Sequence, residues 1–283
     1  MPWLGVDEVN VRPAGSVSVT RMLVLRSGPP FVTVIVKDTV LPGVMFDAVL
    51  VRLRSETRPG PVPRSPKAAT PVALGSAVAT RVVAVDLAAP EGAGRLAAAV
   101  EDLEIGVLVN NAGFGSAGRF ERQDEQRLVE MIRVHCTAPL VLTHRLLPKM
   151  RSRGRGAVVF TGSLAAKQPM PLHATYAATK AFAELLGEGL WAELRGSGVD
   201  VLVVEPGTTA TEFQAVAGEV PHEGETPEHV VAVALERLGE QPSVAIGWWR
   251  WLRGNLGMRL LPRSLLARVA HGVIEKQTPP SLR

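Results

Sequence analysis

The sequence predicts an α/β fold: a doubly wound parallel sheet with helices on both faces, whose first strand–helix–strand unit is degraded or atypical. Three observations lead there. From Arg81 onward, short apolar runs alternate with helical stretches at the spacing of crossover units. The residues with chemical potential fall at or just past the carboxyl ends of the apolar runs, where ligands bind in open parallel sheets. The first 80 residues break both patterns and hold ten of the 22 prolines.

The elements follow in order. FVTVIV (Phe31 to Val36) and FDAVLV (Phe46 to Val51) are short and β-prone. The run RPGPVPRSPKAATP (Arg58 to Pro71) can hold no helix. RVVAVDL (Arg81 to Leu87) reads as a buried strand, followed by a helix over Pro90 to Leu103. GVLVNNAG (Gly106 to Gly113) is a second strand running into a loop. A helical region covers Asp124 to Met150, with a kink expected at Pro139. GAVVFTG (Gly156 to Gly162) is a third strand and Ala174 to Arg195 a helix. VDVLVVEPG (Val199 to Gly207) ends in a Pro-Gly turn. TPEHVVAVALERLGE (Thr226 to Glu240) opens with a threonine cap, proline and an acid, a helix start. SVAIGW (Ser243 to Trp248) closes the set. Three regions result: an atypical Pro-rich segment over 1–80, the regular domain over 81–248, and a basic amphipathic tail over 249–283.

Composition narrows the function classes. With 283 residues and 46% hydrophobic content, the chain can bury a large core. The net charge of +4 is modest, and no basic run alternates with aromatics, so no nucleic-acid partner is expected. Cys136 is the single cysteine, which excludes an internal disulfide and fits a reducing compartment. The N-terminus shows no basic start leading into a long apolar run, and Lys37, Asp38 and Asp47 break the stretch from Phe31 to Val51. A soluble, cytoplasmic protein is expected. The histidines, His135, His144, His173, His222, His229 and His271, form no metal-ligand grouping, so no metal is expected.

The chemistry concentrates in Ser163 to Lys180. Tyr176 is the only tyrosine in the chain, and Lys180 follows it by one helical turn. Positions i and i+4 share a helix face, so the ammonium can stand beside the phenol. A free tyrosine has a pKa of about 10, and a nearby cation favours the phenolate, as general acid–base work requires. Ser163, just past the AVVFTG run, brings a hydroxyl to the same spot. Singly, other rim residues have plainer readings: Asn110 and Asn111 as a strand end, Pro206–Gly207 as a turn, Asp86 as a helix cap.

Together, LVNNAG at Leu108 to Gly113, Ser163 with Tyr176-x-x-x-Lys180, and PGTTATEF at Pro206 to Phe213 resemble the short-chain dehydrogenase/reductase family, over about Arg81 to Trp248. The resemblance implies a Rossmann-like fold and hydride transfer between a nicotinamide cofactor and a carbonyl/alcohol substrate. Tyr176 would give or take the proton. Lys180 would lower the tyrosine pKa and bond the nicotinamide ribose, and Ser163 would bond the substrate oxygen. Asp86 would bond the adenine amino group. Asn110, Ala112 and Gly113 would border the adenosine ribose, and Pro206, Gly207 and Thr211 the carboxamide and pyrophosphate. His135 stands where the family usually has an asparagine of the proton relay, and is a candidate for that relay.

The family's Gly-rich strand–loop–helix should lie within Ser27 to Lys37. The sequence there is SGPPFVTVIVK, with one glycine and two prolines. A damaged phosphate site is therefore expected. Either the frame before about residue 80 is misread, or the segment is diverged and the protein is a non-catalytic remnant acting through its surface. Arg52 or Arg54 would meet a 2′-phosphate, so NADP is preferred over NAD. A homo-oligomer and a partly hydrophobic substrate are expected. The tail WWRWLRGNLGMRLLPRSLLARVAHGVIEK (Trp248 to Lys276) would pack on the domain, form a subunit contact or touch an anionic membrane surface.

Overall fold

Every parallel pair of strands needs a crossover, and among the described residues helices for that purpose come only after residue 85. The computed structural model describes residues 5–11, 18–24, 32–41, 44–53, 79–211, 213–220, 223–247 and 260–283. Seven strands form the main sheet: β3 (Val32–Leu41), β4 (Val44–Leu53), β5 (Ala79–Val85), β6 (Ile105–Asn110), β7 (Gly156–Thr161), β8 (Val199–Glu205) and β9 (Ser243–Ala245). Their order is β5-β4-β3-β6-β7-β8-β9. A separate antiparallel pair, β1 (Gly5–Val11) with β2 (Ser18–Val24), precedes them and was not expected from the sequence.

The doubly wound expectation holds from β6 to β9, where all neighbours are parallel. The first unit differs in a definite way. β3 is parallel to β6, but β4 is antiparallel to both β3 and β5. The cause is chain length: only Pro42 and Gly43 separate β3 from β4, and two residues can return a strand only beside itself. Residues 32–53 thus belong to the same sheet as the regular domain. The Pro-rich run from Arg58 to Pro71 lies outside the described residues.

Both faces of the sheet are covered. Val199, Val201 and Val203 of β8 join the larger core, with Leu96 of α1 (Gly92–Ala99) and Leu142 and Met150 of α3 (Ala138–Arg153). The alternate residues Leu202 and Val204 face the other way. They pack with Ala234, Val230 and Val233 of α6 (Pro227–Arg237). The period of two thus gives one strand two buried faces.

The predicted long helix from Asp124 is three pieces: α2 (Glu125–Ile132), a π-helical turn over Arg133–Thr137, and α3. Pro139, the expected kink, lies in the first turn of α3, where its missing N–H costs little. α4 (Ala174–Glu193) and α5 (Phe213–Ala217) follow, and Thr226 caps α6 by accepting from the His229 N–H at 3.3 Å. A last helix, α7 (Arg263–Gln277), carries the tail. Among the described residues, no helix is long and apolar enough to cross a membrane.

Gly198 shows how tightly the β7–β8 end is closed. Its φ is +78°, and a Cβ there would stand 1.8 Å from the Gly154 carbonyl oxygen. Gly198→Ala is expected to destabilise the protein by at least about 1–3 kcal/mol, through both the left-handed backbone and the clash. Urea denaturation midpoints measure it.

Candidate active site at the carboxyl rim of the sheet

The rim is assembled from strand ends. β6 delivers Asn110, β7 delivers Ser163 and β8 delivers Pro206 and Gly207, while α4 brings Tyr176 and Lys180 across. The Ser163 hydroxyl lies near the Tyr176 phenol and favours its ionised form. Ser163 Oγ also accepts from the Ala165 N–H at 3.1 Å and so caps the short turn Leu164–Lys167. The Leu164 N–H reaches the Pro206 carbonyl at 3.1 Å, closing the β7 and β8 ends on each other. Lys180 is buried, and its Nζ donates to the Thr161 carbonyl at 2.7 Å.

The cation was expected to lower the tyrosine pKa. Its Nζ instead stands 5.8 Å from the Tyr176 ring centroid. Burial pushes the phenol up to about 12; the Ser163 hydroxyl opposes this, and the Glu219 carboxylate adds to it.

His135 sits on the π-helical turn and is 3% exposed. Its Nε2 accepts from the Phe114 N–H at 2.9 Å, so the proton belongs on Nδ1, which faces Thr179 Oγ1 at 2.8 Å. Thr179 in turn donates to the Tyr176 carbonyl at 2.8 Å. Burial, then the Lys180 charge, hold His135 well below the ordinary histidine range. Both ring nitrogens are therefore committed to fixing the backbone beside Tyr176. Through Thr179 the ring also holds the backbone of helix α4. Gly113 lies against this ring, where a Cβ would be 2.9 Å from Nε2.

The remaining predicted residues divide. Asn110 is buried; its Nδ2 donates to Thr143 Oγ1 at 3.3 Å, and its Oδ1 has no hydrogen-bond partner. Asn111 Oδ1 accepts from Thr161 Oγ1 at 2.9 Å, and Ala112 is buried. Asp86 Oδ1 accepts from the Ala88 N–H at 2.8 Å in the loop before α1, and the cap of that helix is Glu91 rather than Asp86. Thr211 Oγ1 accepts from the Phe213 N–H at 3.3 Å, beside the start of α5. The side chains of Arg52 and Arg54 lie outside the described residues.

Several participants were missed. Arg127 of α2 donates to the carbonyls of Gly115 and Val216, both at 3.2 Å, tying the β6 loop to α5. Phe213 lies 5.5 Å from the Tyr176 ring. Most consequential is a buried ion cluster under the rim. Lys167 bonds both Glu184 and Glu205, the latter at 2.8 Å. Burial disfavours the Lys167 ammonium, but the two carboxylates outweigh it and raise its pKa. Burial raises Glu205, with Lys167 opposing. Glu188 joins them: the carboxylates of Glu184, Glu188 and Glu205 converge within 4.8 Å, with the Lys167 ammonium supplying the cation. The signal was present as spacing, since Lys167 follows Ser163 by four and Glu184 follows Lys180 by four.

The site tests differently against a dinucleotide at its two ends. The Tyr176–Lys180 corner, with the orphaned Asn110 oxygen, suits a ribose and a nicotinamide. The pyrophosphate end does not repeat the usual cradle. β3 passes Val36, its partner for Asn110, and continues to Leu41 before the hairpin, so no helix N-terminus follows it.

The chain resembles known proteins in the same region. The family described as short chain dehydrogenase matches residues 65–220. Very-long-chain 3-oxoacyl-CoA reductase-A of Danio rerio is 30% identical over 200 residues, covering 65% of this chain and 62% of the relative. The 7beta-hydroxysteroid dehydrogenase of Clostridium sardiniense is 31% identical over 170 residues, covering 57% of this chain and 63% of the relative. The chain thus spans about three-fifths of these relatives' length. A structure from work on 7beta-hydroxysteroid dehydrogenase stereoselectivity superposes with a TM-score of 0.60 at 27% identity, covering 66% of this chain and 74% of that one. A short-chain dehydrogenase of Sphingobium yanoikuyae in complex with NADPH gives 0.54 at 27% identity, covering 69% and 75%.

Two measurements check the electrostatics. Lys167→Met leaves buried carboxylates uncompensated and is expected to cost about 3–5 kcal/mol in chemical denaturation. His173 is buried, 3.7 Å from Glu219, and burial lowers its pKa from 6.5 to about 4. The unfolded chain takes a proton there below pH 6.5 and the folded one does not, so stability falls as the pH drops from 6.5 toward 4. The term amounts to about 3 kcal/mol. In His173→Gln it disappears, and the wild-type-minus-variant stability difference is expected to shrink across that window.

Proposed function

Because the chain belongs to the short-chain dehydrogenase family, we propose that it is an NAD(P)-dependent oxidoreductase acting on a carbonyl/alcohol pair, with Tyr176 as proton donor and acceptor. The observation that carries this is the gathering of Ser163, Tyr176 and Lys180 on one rim, with the Ser163 hydroxyl near enough to the phenol to oppose the rise in its pKa. The bound nicotinamide supplies the hydride in reduction and takes it in oxidation. Ser163 holds the substrate oxygen against the phenol. Tyr176, neutral at physiological pH with a pKa near 12, is set to give its proton to that oxygen, which favours carbonyl reduction. Lys180 supplies a cation for the ribose hydroxyls. His135 and Thr179 fix the backbone that aims Tyr176.

Support for NADP comes from solved relatives in complex with NADP or NADPH. The names of the relatives point to 3-oxoacyl-CoA and hydroxysteroid substrates, and Phe213 beside Tyr176 suits such an apolar body. A homo-oligomer through α3 and α4 fits the exposed Leu140 and Leu185 on these helices.

The β3–β4 hairpin favours a second reading, a chain that keeps the fold without turnover because the pyrophosphate is poorly held. NADPH and NADH fluorescence titrations separate the two. Binding with turnover that falls at least about 10²-fold in Tyr176→Phe, with cofactor binding retained, is the expected outcome. No fluorescence change at millimolar cofactor would leave only the second reading, and unchanged turnover in Tyr176→Phe would refute the proton donor.

A further inference from the structure

Helix α7 has one apolar stripe more than its packing uses. Leu266, Ala270 and Ile274, spaced by four, are buried on the domain at 5%, 4% and 6% exposure. The neighbouring stripe, Leu265, Val269 and Val273, has the same spacing and is exposed at 40%, 57% and 53%, and Leu261, ahead of the cap residue Pro262, is exposed at 44%. Leu260, just before it, stands at 74%. Of the ten large apolar side chains exposed among the described residues, five therefore fall within residues 260–273. A contiguous patch of this kind marks an interaction surface, whereas scattered exposed leucines do not.

Charge decides what the surface suits. Arg263, Arg268 and Lys276 are exposed on the same helix, against Glu275 alone. A second copy docking face to face by a twofold would set these cations against their own copies. An anionic surface meets them with opposite charge. Position adds a reason. The end of α7 presents the Gln277 carbonyl to the Val220 N–H at 2.9 Å, and Leu282 accepts from the Arg119 N–H at 3.0 Å. The helix thus runs into the segments beside Tyr176, the stretch after α5 on one side and the loop after β6 on the other.

We propose that the outer stripe of α7 docks on an anionic lipid bilayer, with the helix lying in the interfacial plane. Leu265, Val269 and Val273 enter the acyl boundary, and Arg268 and Lys276 pair with lipid phosphates. This goes beyond the oxidoreductase reading and does not depend on it. If both hold, an apolar substrate can reach Tyr176 from the bilayer beside α5.

The test uses the full chain without substrate or cofactor. It is co-sedimented with vesicles of phosphatidylcholine containing phosphatidylserine, and with phosphatidylcholine alone. The wild type is expected to sediment with the anionic vesicles and to be released by salt. Val269→Asp and Arg268→Glu/Lys276→Glu are each expected to lower the partition coefficient at least tenfold. These positions are exposed, and an unchanged circular dichroism spectrum confirms the fold. Absence of sedimentation of the intact chain overturns the proposal. So does equal sedimentation of wild type and variants, or a dimer that Val269→Asp dissociates without any lipid binding.

Discussion

One ammonium group under the rim holds three elements in register. Lys167 ends the short turn that Ser163 caps, Glu184 lies one turn beyond Lys180 on α4, and Glu205 is the last residue of β8 before Pro206. Removing Lys167 leaves two buried carboxylates without their counter-charge, a costly state. The turn after β7, the start of the loop after β8 and the helix carrying the tyrosine therefore cannot drift independently. The Ser163–Tyr176 contact follows from that fixed junction.

A second layer works through neutral groups. The π-helical turn at Arg133–Thr137 lets His135 point inward from a helix that α-helical spacing would have continued past it. The ring then bridges the Phe114 backbone and Thr179 without taking a charge. Its neutrality suits the place, since a cation there would face the Lys180 ammonium.

The parallel half of the sheet was legible because buried strands read as apolar runs and each was followed by a capped or periodic helix. Tyr176 and Lys180 were legible because their spacing alone puts them on one face. The Lys167 cluster was not, although its spacing was visible, because no local signal tells a buried lysine from a solvated one. The first third failed for a different reason. FVTVIV and FDAVLV announce strands, but composition says nothing of strand direction. Direction follows from the two residues between β3 and β4. His135 was placed by resemblance at a relay position, and the Phe114 and Thr179 partners of its two nitrogens could not be read from the sequence.

The chain has a single tyrosine, and the fold puts it at the rim between Ser163 and Phe213. A protein labelled on its tyrosine ring therefore carries one resonance, which comes from the site and from nowhere else. Its chemical shift follows the phenol's hydrogen bond, and its titration follows the phenol's proton, with no background to subtract. The molecule contains its own reporter group, and the state of the reacting oxygen can be followed before any substrate is known.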